Sequence, residues 1–127
     1  SALPDSLVSR LVAGDDRKTL ALVAEHESGG TAIVVGLVNL GAVDDARVEV
    51  GLVVRDDWQQ KRLGTELATR MMLAAERRGF RSFVGHVLEE NVGMRKLLKN
   101  IAEIVSMKVS GNVRELAFIR RSQITLP

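Results

Sequence analysis

The first half of the chain is dominated by short apolar segments whose periodicity favours β-strands. Residues 19–25, 31–40 and 47–54 form three such segments, and the middle one is almost wholly apolar, which is typical of a central strand. The S-G-G sequence at 28–30 predicts a hairpin turn between the first two segments, and residues 41–45 predict a second turn. The sequence therefore predicts a three-stranded antiparallel meander.

A short amphipathic helix is predicted ahead of this meander, over residues 4–13. Leu7, Val8, Leu11 and Val12 recur there at positions i, i+1, i+4 and i+5, which would place them on one face of a helix.

The second half of the chain alternates between helical and strand-like patterns. Leu63, Leu67 and Met71 recur at helical spacing and predict a long helix over residues 63–78. Residues 81–88 predict the next strand, and a helical connection of this length implies that this strand runs parallel to the one before the helix. The remaining predicted elements are a second helix over residues 91–102 and a hairpin with strands at 103–109 and 114–120.

These elements predict an α+β fold with a mixed, mostly antiparallel sheet and one parallel β-α-β crossover. A parallel pair beside antiparallel strands can separate at its C-terminal end, which would open a cleft for a ligand. The 127 residues are enough for one domain with its own core.

Composition and charge exclude several classes of function. The formal net charge is +2 with both signs interleaved, so no basic stripe predicts nucleic-acid binding. The absence of cysteine excludes disulfides, thiolate metal sites and a cysteine nucleophile, and the two histidines lack the carboxylate spacing of a metal site. No apolar run is long enough to span a membrane and no signal peptide is visible, so we expect a cytoplasmic protein.

The segment from residue 48 to residue 67 carries the strongest functional signal. A β-branched run leads into a short polar loop with Lys61 and Arg62, and a helical pattern begins at Leu63 and Gly64. The N–H groups of a first helical turn point outward, and the helix dipole adds roughly half a positive charge there. This arrangement predicts a phosphate-bearing ligand at the loop. The alternative is an ordinary polar loop that Gly64 caps.

The order of elements and the loop sequence resemble the GNAT family of N-acetyltransferases. The central motif of that family is Gln/Arg-x-x-Gly-x-Gly/Ala, between the fourth strand and the long helix, and Q-Q-K-R-L-G at residues 59–64 matches it at the first and last positions. The sequences at residues 53–65 and 87–98 further resemble bacterial Pat-type protein lysine acetyltransferases. The resemblance extends over roughly residues 19–118.

This resemblance implies an acetyl-CoA-dependent enzyme that transfers acetyl directly to an amine, with a protein lysine as the favoured acceptor and no metal. It implies that Glu49 is the general base and that Asn91 lies near the thioester. The implied contacts of the pantetheine arm are Leu52, Val53 and Val54, and those of the pyrophosphate are Gln59, Gln60, Lys61, Arg62, Leu63, Gly64 and Thr65.

Glu49 is also conspicuous without the resemblance, because it lies in mid-strand between the apolar residues Val48 and Val50. An acceptor lysine is almost fully protonated at neutral pH, so its amine must lose a proton before it attacks. A buried carboxylate would be a stronger base for this step. The alternative is that Glu49 faces solvent or pairs with an arginine such as Arg47.

Three further residues each have a structural and a functional interpretation. Asn91 fits the N-cap of the second helix as well as a cofactor contact. Trp58 is expected to anchor its loop on the domain rather than to stack on adenine. His86 could share a cleft with Glu49, although a half-exposed histidine on a strand is the more typical case.

Three features depart from the family pattern. Arg62 occupies the position of the middle glycine in the motif. If that position requires a positive φ, a residue with a side chain there lowers the affinity for the cofactor. Alternatively, the Arg62 guanidinium could bind a phosphate. The chain has no tyrosine to place near the thiolate leaving group. The first strand and first helix of the family have no apparent counterpart, so residues 1–127 are expected to form a single domain without them.

A non-catalytic acetyl-CoA-binding regulatory module and a small-amine acetyltransferase remain as alternative functions.

Overall fold

The structure, a computed structural model, describes residues 7–13, 18–59 and 62–121. These residues form one seven-stranded sheet and two α-helices. The strands are β1 (Leu7–Ala13), β2 (Thr19–Ser28), β3 (Thr31–Ala42), β4 (Arg47–Val54), β5 (Ser82–Leu88), β6 (Ala102–Ser110) and β7 (Val113–Arg120), and the helices are α1 (Leu63–Arg77) and α2 (Val92–Ile101).

The strand order in the sheet is β1-β2-β3-β4-β5-β7-β6. Neighbouring strands are antiparallel except β4 and β5, which run parallel and are connected by α1. This topology confirms the predicted α+β fold with a mixed, mostly antiparallel sheet and one crossover.

Residues 7–13 form a strand, so the prediction of a helix there is wrong, and residues 4–6 of that prediction lie outside the described residues. β1 pairs antiparallel with β2, from Leu7↔His26 to Ala13↔Ala21. The apolar residues at 7, 8, 11 and 12 do not alternate as those of a half-buried strand do, so local sequence gives no strand signal here. A short helix would bear the full cost of nucleation, whereas the edge of β2 offers backbone partners to an extended segment.

The hydrophobic core lies on one face of the sheet, where α1 packs. Val38 of β3 and Val48 of β4 are completely buried, and Leu63 and Leu67 of α1 cover this face. Gly36 of β3 allows the close approach, because a Cβ there would lie 2.8 Å from Leu67 Cδ1 and 3.2 Å from Leu63 Cδ2. The N-terminal half of α1 is therefore held tightly against the centre of the sheet.

The opposite face of the sheet has no helix on it among the described residues. Leu37 of β3 is 37% exposed and Val53 of β4 is 67% exposed there. Glu49 and His86 lie on the same face and are also exposed. Polar, titratable groups and apolar side chains thus share this surface.

Candidate functional site

β4 and β5 pair over the first three residues of each strand and then separate. Their parallel register begins at Arg47↔Ser82 and ends at Glu49↔Val84. Beyond that point, as far as Val54, β4 pairs with β3 alone among the described strands. The C-terminal half of β4 therefore has a free edge that faces the space between the two strands, called here the β4–β5 opening.

The backbone of β4 directs alternate residues into the β4–β5 opening. The N–H of Arg55 donates to the carbonyl of Val35 at 2.8 Å, and backbone groups alternate in direction along a strand. Val53 therefore directs its N–H and C=O towards β3, whereas Leu52 and Val54 direct theirs towards the opening. Of the three residues assigned to the pantetheine arm, Leu52 and Val54 present backbone groups to that space.

A short 3-10 turn, Asp56–Trp58, leads from β4 towards α1. Trp58 is 8% exposed, and its ring centroid lies 5.0 Å from that of His26, which confirms that it anchors the loop on the domain. The side-chain amide of Gln59 donates to the Val54 carbonyl at 3.1 Å and to Asp56 Oδ1 at 3.3 Å. Gln59 thus fixes the start of the loop against the end of β4.

Arg62 is the one non-glycine residue with a positive φ, 69°, in the described part of the chain. It immediately precedes α1, and its carbonyl accepts the N–H of Glu66 at 3.0 Å. A left-handed backbone costs a residue with a side chain about 1–3 kcal/mol, so the glycine of the family motif would be relaxed at this position. The side chain of Arg62 is exposed. Gln60 and Lys61 lie outside the described residues.

The first turn of α1 comprises Leu63, Gly64 and Thr65. A Cβ on Gly64 would lie 2.8 Å from Leu97 Cδ1 and 3.6 Å from Leu52 Cδ2, so the glycine lets the start of α1 sit close to both β4 and α2. The N–H groups of a first helical turn have no partner within the helix. Together with the helix dipole they make the end of α1 beside the β4–β5 opening attractive to an anion.

Glu49 occupies the last parallel pair, where the two strands separate. Its side chain is exposed and points away from the core, because its neighbour Val48 is completely buried. Glu49 thus lies on the face opposite Val48, Val50 and Leu52, and it is exposed to solvent rather than buried. The physical reason is the strand alternation itself, since α1 covers only the face that Val48 occupies. Arg47, its suggested partner, instead pairs with Asp44 at 2.9 Å.

His86 lies on the same face of the sheet, beyond the point of separation. Its Nε2 atom is 3.7 Å from Oε1 of Glu115 on β7, and both side chains are about half exposed. This confirms the half-exposed strand histidine. The Glu115 carboxylate was not among the sequence predictions, because only the β5–β7 register His86↔Glu115 brings the two residues together.

The segment between β5 and α2 is held by side-chain hydrogen bonds. Asn91 Oδ1 accepts the N–H of Met94 at 3.0 Å, which confirms Asn91 as the N-cap of α2. Glu89 makes a two-pronged ion pair with Arg114 of β7, and Arg95 donates to the Glu89 carbonyl at 3.1 Å. The hydrogen bond from Arg114 lowers the pKa of the Glu89 carboxyl. This network fixes Asn91 next to the end of β5 that borders the opening.

The described residues contain no cluster of three or more histidine, aspartate or glutamate side chains that could hold a metal ion. Neither α1 nor α2 is long and apolar enough to cross a membrane.

Several solved structures share this fold. The GNAT domain of S. lividans PAT is 21% identical over 84% of the chain, with a TM-score of 0.69. A cAMP-binding acyltransferase from Mycobacterium smegmatis is 22% identical over 84%, with a TM-score of 0.67. The yncA protein of Salmonella typhimurium, solved with its cofactor acetyl-CoA, is 20% identical over 86%, with a TM-score of 0.64. The chain spans 64%, 33% and 68% of these three proteins, respectively.

No curated protein sequence gives a significant match. The family model of the acetyltransferase (GNAT) domain, in contrast, matches residues 5–102, which is more than half of the chain and includes β4, the loop before α1, and α1 itself. The chain therefore belongs to the GNAT family of acetyltransferase domains, whose members are N-acetyltransferases with acetyl-CoA as co-substrate.

Proposed function

We propose that this chain binds acetyl-CoA in the β4–β5 opening and transfers the acetyl group to the side-chain amine of a protein lysine. The observation that carries the proposal is the early end of the β4–β5 register at Glu49↔Val84, which leaves Leu52 and Val54, beside the N-terminus of α1, without a strand partner on that side. A pantetheine arm is an extended chain with two amides, so it can pair with the backbone groups of Leu52 and with the N–H of Val54 as an added strand would. The Val54 carbonyl already accepts from Gln59.

The pyrophosphate is proposed to lie at the start of α1. The N–H groups of Leu63, Gly64 and Thr65 donate to the phosphate oxygens in this proposal. Hydrogen bonds to a charged acceptor are stronger than those between neutral groups. The exposed Arg62 guanidinium is proposed as a further phosphate contact, and so are Gln60 and Lys61, the two residues that precede it in the sequence. Gln59 contributes by holding the loop on Val54, and Asn91 by ordering the start of α2.

In the proposed reaction a neutral amine attacks the thioester carbonyl carbon, so that a C–N bond forms and the C–S bond breaks. Glu49 accepts the proton that the amine must lose, directly or through a water molecule. A backbone N–H of Leu52 or Val54 donates to the carbonyl oxygen as negative charge develops on it. The acceptor ammonium releases one proton to solvent to become the neutral amine, and the departing thiolate takes up the proton that Glu49 releases, so each turnover yields one net proton.

A protein lysine is favoured as acceptor for two reasons. Residues 53–65 and 87–98 resemble Pat-type lysine acetyltransferases, and the fold is similar to the GNAT domain of S. lividans PAT. In addition, the sheet face with Glu49 and His86 has no helix on it among the described residues, which leaves room for a macromolecular acceptor.

His86 is a second candidate for the group that accepts the amine proton. An imidazole is a common general base, and Nε2 of His86 lies 3.7 Å from Oε1 of Glu115. Replacement of each residue separates the two candidates. Loss of turnover in Glu49→Gln but not in His86→Gln supports Glu49, and the reverse result supports His86.

The proposal is tested by calorimetric titration with acetyl-CoA, followed by a thiol-release assay with lysine peptides and small amines. We expect binding in the micromolar range and turnover on a lysine peptide that falls about 100-fold in Glu49→Gln, as for loss of a general base. Glu27→Gln, which alters an exposed carboxylate on β2, is the matched control. Binding without turnover on any amine would identify a regulatory module instead, and a preference for small amines would replace the lysine acceptor.

A further inference from the structure

β6 forms one end of the sheet, after β7 in the strand order. Eight of its nine residues are exposed, and the described residues place no strand or helix along its outer edge. Large apolar side chains project from it, with Val105 65%, Val109 56%, Met107 49% and Ile104 40% exposed. A long, apolar and uncovered edge strand of this kind is a template for pairing with another strand.

The outer edge of β6 presents free backbone groups at Ile104 and Met107. These residues lie opposite Phe118 and Leu116 of β7, which are two positions apart and so share a direction. The N–H of Arg121 donates to the carbonyl of Ile101 at 3.0 Å, so odd-numbered residues of β7 bond to β6 and even-numbered ones do not. The backbone groups of Ile104 and Met107 therefore point away from β7.

The irregularity at Val105 decides which side chains of β6 share a face. The register with β7 shifts between Ile104 and Ser106, which inserts one extra residue into β6. As a result Ile104 and Met107 lie on the same face of the sheet, although they are three residues apart. Glu103 and Lys108, opposite Ile119 and Glu115, share the other face.

We propose that β6 pairs antiparallel with β6 of a second copy of this chain, across a two-fold axis between Val105 and Ser106. In this register Ile104 of one chain lies opposite Met107 of the other, and their outward-pointing backbone groups can exchange hydrogen bonds. Glu103 of one chain lies opposite Lys108 of the other. The two-fold axis repeats each of these pairs.

Charge complementarity selects this register over its neighbours. A pairing centred on Glu103 would place two carboxylates opposite each other, and a pairing centred on Lys108 would place two ammonium groups opposite each other. Like charges directly opposite each other are destabilising. Only a centre midway between these residues satisfies both charges. Because of the extra residue at Val105, the same centre also pairs Ile104 with Met107 on one face and brings their outward-pointing backbone groups opposite each other. The occupant that fits this edge is therefore an identical strand, and the two sheets continue into one.

The test measures the dimer dissociation constant by sedimentation equilibrium for charge-reversal variants. Glu103→Lys and Lys108→Glu each place like charges opposite each other twice, so each is expected to raise the dissociation constant about tenfold. The double variant Glu103→Lys/Lys108→Glu restores opposite charges and is expected to return to the wild-type value. Val43→Lys, at a 50% exposed position in a loop, is the matched control and is expected to dimerise normally.

A second measurement does not depend on folded variants. Amide hydrogen exchange at Ile104 and Met107 of the wild-type chain is expected to slow as protein concentration rises, because their N–H groups become bonded in the dimer. A monomer at all micromolar concentrations would overturn the proposal. So would a dimer that both single charge reversals leave intact, or one in which the exchange of these two amides does not change.

Discussion

At the scale of single residues, Arg62 shows most clearly how sequence and site are related. The backbone there is left-handed, with φ of 69°, which is a conformation that a glycine would adopt without strain. Arg62 adopts this backbone shape in spite of its side chain, and α1 begins directly after it. We therefore expect the strain to lower folding stability and not the affinity for acetyl-CoA.

The prediction for Arg62 separates its backbone from its side chain. Arg62→Gly is expected to raise the free energy of unfolding by about 1 kcal/mol, the relief of strain less the extra freedom of an unfolded glycine. Arg62→Ala keeps the strain and should leave stability nearly unchanged. Both variants lose the guanidinium, so both should bind acetyl-CoA about fivefold more weakly. Tighter binding by Arg62→Gly than by the wild type would contradict this assignment.

At the scale of elements, the site depends on how closely α1 lies on the sheet. The first turn of α1 can receive a pyrophosphate only if it stays beside the end of β4. Gly36 of β3 allows α1 to lie this close to the sheet because it has no side chain. Leu63 and Leu67, which a Cβ on Gly36 would meet, are almost completely buried and have little room to move.

Gly36→Ala is therefore expected to lower the free energy of unfolding by about 2 kcal/mol through overpacking and to weaken acetyl-CoA binding. Gly41→Ala is the matched control, because it lies on the same strand and a Cβ there meets no atom within 4 Å. Urea unfolding and calorimetric titration measure the two effects. Equal stability of the two variants would show that α1 does not depend on close packing at Gly36.

The ion pair between Glu89 and Arg114 leads to a prediction about pH. Arg114 lowers the pKa of the Glu89 carboxyl below its ordinary value of 4.5, so its contribution to stability is complete above that value and is lost as pH falls through the lowered pKa. Glu89→Gln should thus be less stable than the wild type at pH 7, and the difference in urea midpoint should shrink in acid. A difference that stays constant from neutral to acidic pH would exclude this ion pair as its cause.

At the scale of the whole molecule, the sequence predicts most of the fold because its longer elements have strong periods. The predicted and observed bounds of β4 are identical, and those of α1 differ by one residue. The local pattern of β1 favours a helix, and its strand conformation follows from pairing with the edge of β2. The exposure of Glu49 depends on which sheet face α1 covers, and the approach of Glu115 to His86 depends on the β5–β7 register. Neither can be derived from local sequence.

The whole account depends on acetyl-CoA entering between β4 and β5 and reaching the start of α1. The most direct measurement is an NMR titration that follows backbone amides as coenzyme is added. We predict large shifts and slowed exchange for the amides of Leu52, Val54, Gly64 and Thr65, with a smaller change at Val53, whose N–H already points to β3. Saturating coenzyme that leaves the amides of Leu52 and Val54 unchanged, or that shifts Val53 more than either, would contradict the proposed site.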